Sequence, residues 1–141
     1  MALRYADVEQ GTEIPPKIYQ ATRLDLVKYA GASGDFNVIH WSDRIARSVG
    51  LPDVIAHGMY TMAQAGIFVT DWAGGDPGAI TEFGVRFSAM VPVPDDDTGA
   101  SIEVSGKVAE KLGDNKVAVD LTARAGGTKV LTRARAVVRL Q

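Results

Sequence analysis

Cysteine is absent from the chain, and histidine occurs only twice. The first absence excludes a disulfide framework, a thiolate nucleophile and a cysteine-ligated metal. It also fits a cytoplasmic protein. No charge sign dominates: the formal net charge is -2, which leaves no electrostatic footprint for nucleic acid. An acidic partner, such as a carrier protein, would have to be met by a local basic patch. Long hydrophobic runs are missing too. The most apolar stretch, residues 54–69, is shorter than a membrane span and carries His57 and Gln64, so it reads as a buried helix of a soluble protein. Residues 1–7 have no apolar signal region, so no secretory leader is expected.

The remaining composition is globular. Hydrophobic residues make up 46% of the 141 and charged residues 23%, which reads as one domain spanning residues 1–141. Thr22 can cap a helix running through Arg23-Leu24-Asp25-Leu26-Val27-Lys28-Tyr29-Ala30, ended by Gly31 and Gly34. Before it, residues 14–20 carry Pro15 and Pro16, which suits an irregular or edge strand. Ser42 can cap a short helix over 43–49, stopped by Gly50 and Pro52. Residues 56–72 predict the longest helix, apolar or small on nearly every face, and a helix apolar all round must be buried all round.

The second half switches period. Phe83, Val85 and Phe87 alternate with polar or small residues, as do three runs beginning at Ile102, Val117 and Val130. Gly113-Asp114-Asn115 and Gly126-Gly127 read as tight turns between them, and residues 92–99 as a solvated loop. A long apolar helix followed by an antiparallel meander is the pattern of an α+β hot-dog fold, a curved antiparallel β-sheet wrapped around a central helix. The rival is a helix lying on an open sheet with one face exposed, which the all-round apolar composition argues against.

Two segments carry candidate chemistry. Gly34-Asp35-Phe36-Asn37-Val38-Ile39-His40 places a carboxylate and an imidazole five residues apart, and His57-Gly58-Met59 follows at a helix start. Phe36, Val38 and Ile39 are too apolar for a free loop. They are expected to anchor it on the core and hold Asp35 and His40 in a partly dry pocket, where both move toward neutrality. Asn37 is expected to support the loop by hydrogen bonding. First-turn amides lack intrahelical partners, so the Gly58 N–H can serve as an oxyanion donor beside a thioester carbonyl. His57 is assigned to structural support. A metal is not expected, since Asp35, Asp43 and one histidine make a poor ligand set. Gly74-Gly75-Asp76-Pro77-Gly78 lacks the lysine of a phosphate loop. Arg86, Arg133, Arg135 and Arg139 fall on outer strand faces.

The segment Tyr29-Ala30-Gly31-Ala32-Ser33-Gly34-Asp35-Phe36-Asn37-Val38-Ile39-His40-Trp41-Ser42-Asp43 resembles the signature of the MaoC-like (R)-specific enoyl-thioester hydratases and dehydratases. Ala56-His57-Gly58-Met59 resembles the start of their central helix. The family pattern has proline where Val38 stands, a departure that removes no reactive group. Residues 33–59 and 75–94 resemble most the catalytic B subunits of actinobacterial (3R)-hydroxyacyl-carrier-protein dehydratases. The resemblance implies Asp35 and His40 as the catalytic pair. It implies a coenzyme A or carrier-protein thioester as substrate, with active sites at the interface of a homodimer or of a heterodimer with a second hot-dog chain. It implies no cofactor, because the thioester already acidifies the α-carbon. A hot-dog thioesterase and a non-catalytic partner subunit are the alternatives, both disfavoured by the Asp35/His40 pair.

Overall fold

The alternating apolar runs of the second half form four strands, and the proline-bearing N-terminal segment adds a fifth. The computed structural model describes residues 2–141. Its strands are β1 (Glu13–Ala21), β2 (Ile80–Phe87), β3 (Ala100–Gly113), β4 (Lys116–Ala125) and β5 (Thr128–Arg139). They make one antiparallel sheet in the order β1-β3-β4-β5-β2. The inward faces of β4 and β5, among them Val117, Val119, Leu121, Ala134, Ala136 and Val138, are buried. Asp114 and Asn115, at φ 51° and 56°, close β3 onto β4, and Gly126 and Gly127, at 56° and 78°, close β4 onto β5. Positive φ at both central residues gives the turn a twist that matches the strands it joins. In β1 the pairing slips between Ile14 and Lys17, across the two prolines, which have no N–H to donate.

Three helices accompany the sheet: α1 (Arg23–Ser33), α2 (Asp43–Ser48) and α3 (Gly58–Trp72). Thr22 caps α1 reciprocally: its hydroxyl accepts the Asp25 N–H, and the Asp25 carboxylate accepts the Thr22 N–H at 2.8 Å. Helix α3 lies against the sheet. Phe83 and Phe87 of β2 reach its small residues, Phe83 beside Gly66 and Phe87 beside Gly58. Thr61, Ala65, Phe68 and Val69 form its buried face. Burying Phe68 and Val69 stabilises this packing by roughly 1.5–3 kcal/mol each.

Three expectations are corrected. Helix α3 begins at Gly58 rather than residue 56, because Ile55 pairs with Pro92 and Ala56 donates to the Val91 carbonyl at 2.9 Å, which keeps this stretch extended. The helix is not buried all round within one chain: the sheet covers one side, and Met59 and Ile67 on the other are exposed. Residues 92–99 are not wholly solvated, since Val93 is buried and donates to the Val54 carbonyl at 2.9 Å. No helix among the described residues is long and apolar enough to cross a membrane.

Candidate active site

The end of α1 sets up the loop that follows. Gly34 adopts the left-handed conformation, φ 75°, and donates to the Ala30 carbonyl at 2.9 Å, which terminates the helix and turns the chain. Asp35 then emerges, its N–H bonded to Ser33 Oγ at 3.2 Å. The Asp35 carboxylate accepts the Asn37 N–H at 3.2 Å, and the Asn37 side chain accepts the Ile39 N–H at 3.3 Å. These two links form the short 3-10 turn Val38–His40. The Trp41 indole N–H bonds the Phe36 carbonyl at 3.0 Å and closes the loop. Ser42 caps α2 through the Ile45 N–H at 3.3 Å.

His40 is buried, and its Nδ1–H donates to the Ile55 carbonyl at 2.6 Å. A carbonyl can only accept, so the neutral ring carries its lone pair on Nε2. That nitrogen lies 3.9 Å from Asp35 Oδ2. Two acceptors thus face one gap. It is too wide for a direct hydrogen bond and suited to one water donating to both at about 2.8 Å.

His57 stacks on His40 with ring centroids 3.8 Å apart and planes 24° from parallel. Its Nε2–H donates to the Asp35 carbonyl at 3.1 Å. Tyr29 of α1 packs against His57 at a tilt, ring centroids 4.7 Å apart, and Tyr60 of α3 meets Tyr29 edge-on at 5.7 Å. Burial pushes the His57 pKa below its ordinary value of 6.5. His57 also occupies the N-cap position of α3 but makes no side-chain cap bond. Its carbonyl accepts the Tyr60 and Thr61 N–H groups, while the Gly58 N–H has no acceptor among the described residues.

A cavity of about 270 Å³ opens beside these groups, lined by His40 and Gly58 and by apolar side chains including Ile55, Met90, Val130 and Leu131. Phe87 is one wall, and a Cβ on Gly58 would stand 3.0 Å from its ring, so glycine lets wall and helix terminus approach. The free amide at the positive end of α3 therefore borders the same space as the imidazole.

Asp35, His40, His57 and Gly58 converge, and Asp43 does not join them. The Arg23 guanidinium bonds Asp43 at 2.9 Å and holds its carboxyl below the usual range. Arg23 also donates to the Val93 carbonyl at 2.7 Å, which ties α1 to the loop before β3. The second histidine missing from the expected ligand set is present after all: Asp35, His40 and His57 bring one possible ligand atom each within 4.8 Å of one another. Stacked rings, however, aim their in-plane lone pairs side by side rather than at one point, and His57 Nε2 is already committed to a carbonyl. The arrangement suits hydrogen bonding better than a tetrahedral metal site.

The dry pocket is corrected. The Asp35 side chain is 51% exposed. Phe36, 63% exposed, and Val38, 38% exposed, point outward rather than anchoring the loop on the core. Hydrogen bonds to Asn37 and Trp41 hold the loop instead, and Phe36 and Val38 are exposed, as are Trp41, Met59 and Met90. Missed in the sequence were the His40–His57 stack, the Ile55 carbonyl and the buried Thr61 at the cavity wall. A histidine two residues after an apolar Ile and directly before the helix was the one available hint.

Comparison with known proteins finds related chains and folds. Residues 7–126 match the model of the MaoC like domain. A solved MaoC-like dehydratase superposes with a TM-score of 0.93 at 42% identity, over 99% of this chain and 43% of that one. The unliganded R-hydratase PhaJ1 from Pseudomonas aeruginosa superposes with a TM-score of 0.85 at 26% identity, over 99% of this chain and 86% of that one. The 3-hydroxyacyl-thioester dehydratase X of Mycobacterium tuberculosis is 34% identical over 80 residues, 57% of this chain. The chain spans 27% of that relative's length and 4% of another's. The fold is the hot-dog arrangement of an antiparallel sheet and a central helix, and the chain belongs to the MaoC-like dehydratase family.

Proposed function

We propose that the protein is a hydro-lyase that interconverts a trans-2-enoyl thioester and a (3R)-3-hydroxyacyl thioester, in fatty-acid elongation. The observation that carries this reading is the 3.9 Å gap between His40 Nε2 and Asp35 Oδ2, beside an apolar cavity and a free helix-terminal amide. A water held between the two acceptors keeps a lone pair for the β-carbon. As its oxygen bonds there, the pair takes one proton, and one proton is delivered to the α-carbon on the same face. The product has gained one water. Dehydration is the same path reversed. The Ile55 carbonyl, 2.6 Å from His40 Nδ1, supports the imidazolium when the ring is the acceptor. The Gly58 N–H donates to the thioester oxygen as enolate charge develops, and losing such a donor costs about 10²–10³ in kcat. The acyl chain occupies the cavity.

No cofactor enters these steps. The substrate is carried on coenzyme A or acyl carrier protein, and the similarity to a 3-hydroxyacyl-thioester dehydratase supports an acyl thioester. With crotonyl-CoA, the purified protein is expected to consume the enoyl absorbance and release the (3R) alcohol. Free thiol release without hydration would identify a thioesterase and overturn the reading.

A second copy of this chain is the partner we propose. The sheet has two edges, β1 and β2. Pro15 and Pro16 blunt β1, whereas β2 carries no proline and leaves one row of backbone groups free. Paired antiparallel about Gly84, two β2 strands would set Glu82 of each copy opposite Arg86 of the other, a self-complementary contact. Such a pairing extends the sheet beside Phe87, at the wall of the cavity.

A further inference from the structure

We infer that His57 is a positioning residue that sets the separation and mutual orientation of Asp35 and His40, a role that rests on the proposed hydration. It holds both members at once, one by the backbone and one by the ring. Its Nε2–H donates to the Asp35 carbonyl at 3.1 Å, and its ring stacks on that of His40 with centroids 3.8 Å apart. Tyr29 backs the ring from α1, itself met by Tyr60 of α3, so the stack is braced by two helices.

The other ring nitrogen shows that more than volume is required here. His57 is 1% exposed, and its Nδ1 is buried without a hydrogen-bond partner among the described residues. Nε2 donates, so Nδ1 of the neutral ring is an unpaired acceptor, a cost that a phenylalanine or leucine of similar shape would avoid. The benefit falls on the Nε2 bond and on the stack. The groups facing the ring are His40, Asp35 and Tyr29. Protonation at Nδ1 would place a proton with no acceptor in this enclosure, beside His40. The neutral ring is thus the form that fits, and it leaves the change of charge during turnover to the Asp35–His40 pair.

The bridging water needs both acceptors at once, so a small shift in either breaks the arrangement. A misplacement of about 1 Å can cost on the order of 10² in rate. Two variants separate the two holds. His57→Phe keeps a ring and loses the donor; His57→Gln keeps a donor and loses the ring. Each is expected to lower kcat on crotonyl-CoA by about 10- to 100-fold while KM stays within about threefold. With only two histidines in the chain, the ¹⁵N ring spectrum is directly interpretable. At pH 7 the wild-type protein is expected to show His40 protonated at Nδ1 and His57 at Nε2. In His57→Phe the His40 signals are expected to spread over more than one environment. Folded variants that keep kcat within threefold would overturn the inference, as would wild-type His57 protonated at Nδ1 or at both nitrogens. If the variants do not fold, the wild-type spectrum decides. If the wild-type protein hydrates no enoyl thioester, the functional reading fails, and the tautomers still report whether His57 holds Asp35.

Discussion

At His57, burial makes stability depend on pH. The folded ring has its pKa pushed below 6.5, chiefly by desolvation, while the unfolded chain titrates near the ordinary value. Between the two values the unfolded state binds more protons, so stability rises with pH there. The contribution is complete above about 6.5 and is lost as pH falls from about 6.5 toward the folded value, ahead of most carboxylates near 4. Melting temperatures measured from pH 7 down to 5 should fall for the wild-type protein and stay flatter for His57→Gln; equal slopes would contradict the assignment. Asp35 and His40 were legible from spacing, because five residues of glycine-led loop suffice to bring them near each other. The stack of His57 on His40 was not, because it depends on the Ile55–Pro92 bridge, a contact between segments nearly forty residues apart. The exposure of Phe36 and Val38 was misread for a related reason: apolar composition says that a side chain seeks cover, not which surface provides it.

Helix α1 delivers the carboxylate, and its last turn decides where. Gly34 sits at φ 75° with open space where a Cβ would be, so Gly34→Ala costs only the left-handed backbone strain, about 1–2 kcal/mol. That strain is relieved by moving the residue beside Asp35. We therefore expect a modest drop in melting temperature with a disproportionate loss of hydration activity; equal activity per folded molecule would show that the cap does not position the acid. At the N-terminus of the same helix, Thr22→Ala removes the reciprocal cap and should cost about 0.5–2 kcal/mol, read from denaturant midpoints, with kcat preserved. These caps were visible in sequence because capping is local chemistry. Strand positions were visible for the same reason, each run alternating over its own length. The start of α3 was misplaced by two residues because Ala56 obeys a distant acceptor, the Val91 carbonyl, rather than its own helical propensity.

For the molecule as a whole, exposed apolar side chains on α3 and on the Asp35–His40 loop favour the proposed dimer. Met59, Ile67, Phe36, Trp41 and Met90 are more apolar than water-facing positions need to be. Sedimentation should give twice the 15.0 kDa of one chain. Arg86→Glu should weaken that dimer through like charges at Glu82, and the double exchange Glu82→Arg with Arg86→Glu should restore it; a monomer throughout would remove the β2 edge as the interface. The proposed dimer would reconcile the open sheet with the all-round apolar helix, because one chain would then supply only part of the cover that its composition seeks. The catalytic claim is tested most directly by the hydration of crotonyl-CoA by Asp35→Asn and His40→Ala beside the wild-type protein, with circular dichroism confirming folding. Loss of general acid–base catalysis should lower kcat by about 10²–10⁴ in each. Near-normal hydration by both folded variants would contradict the assignment of the pair.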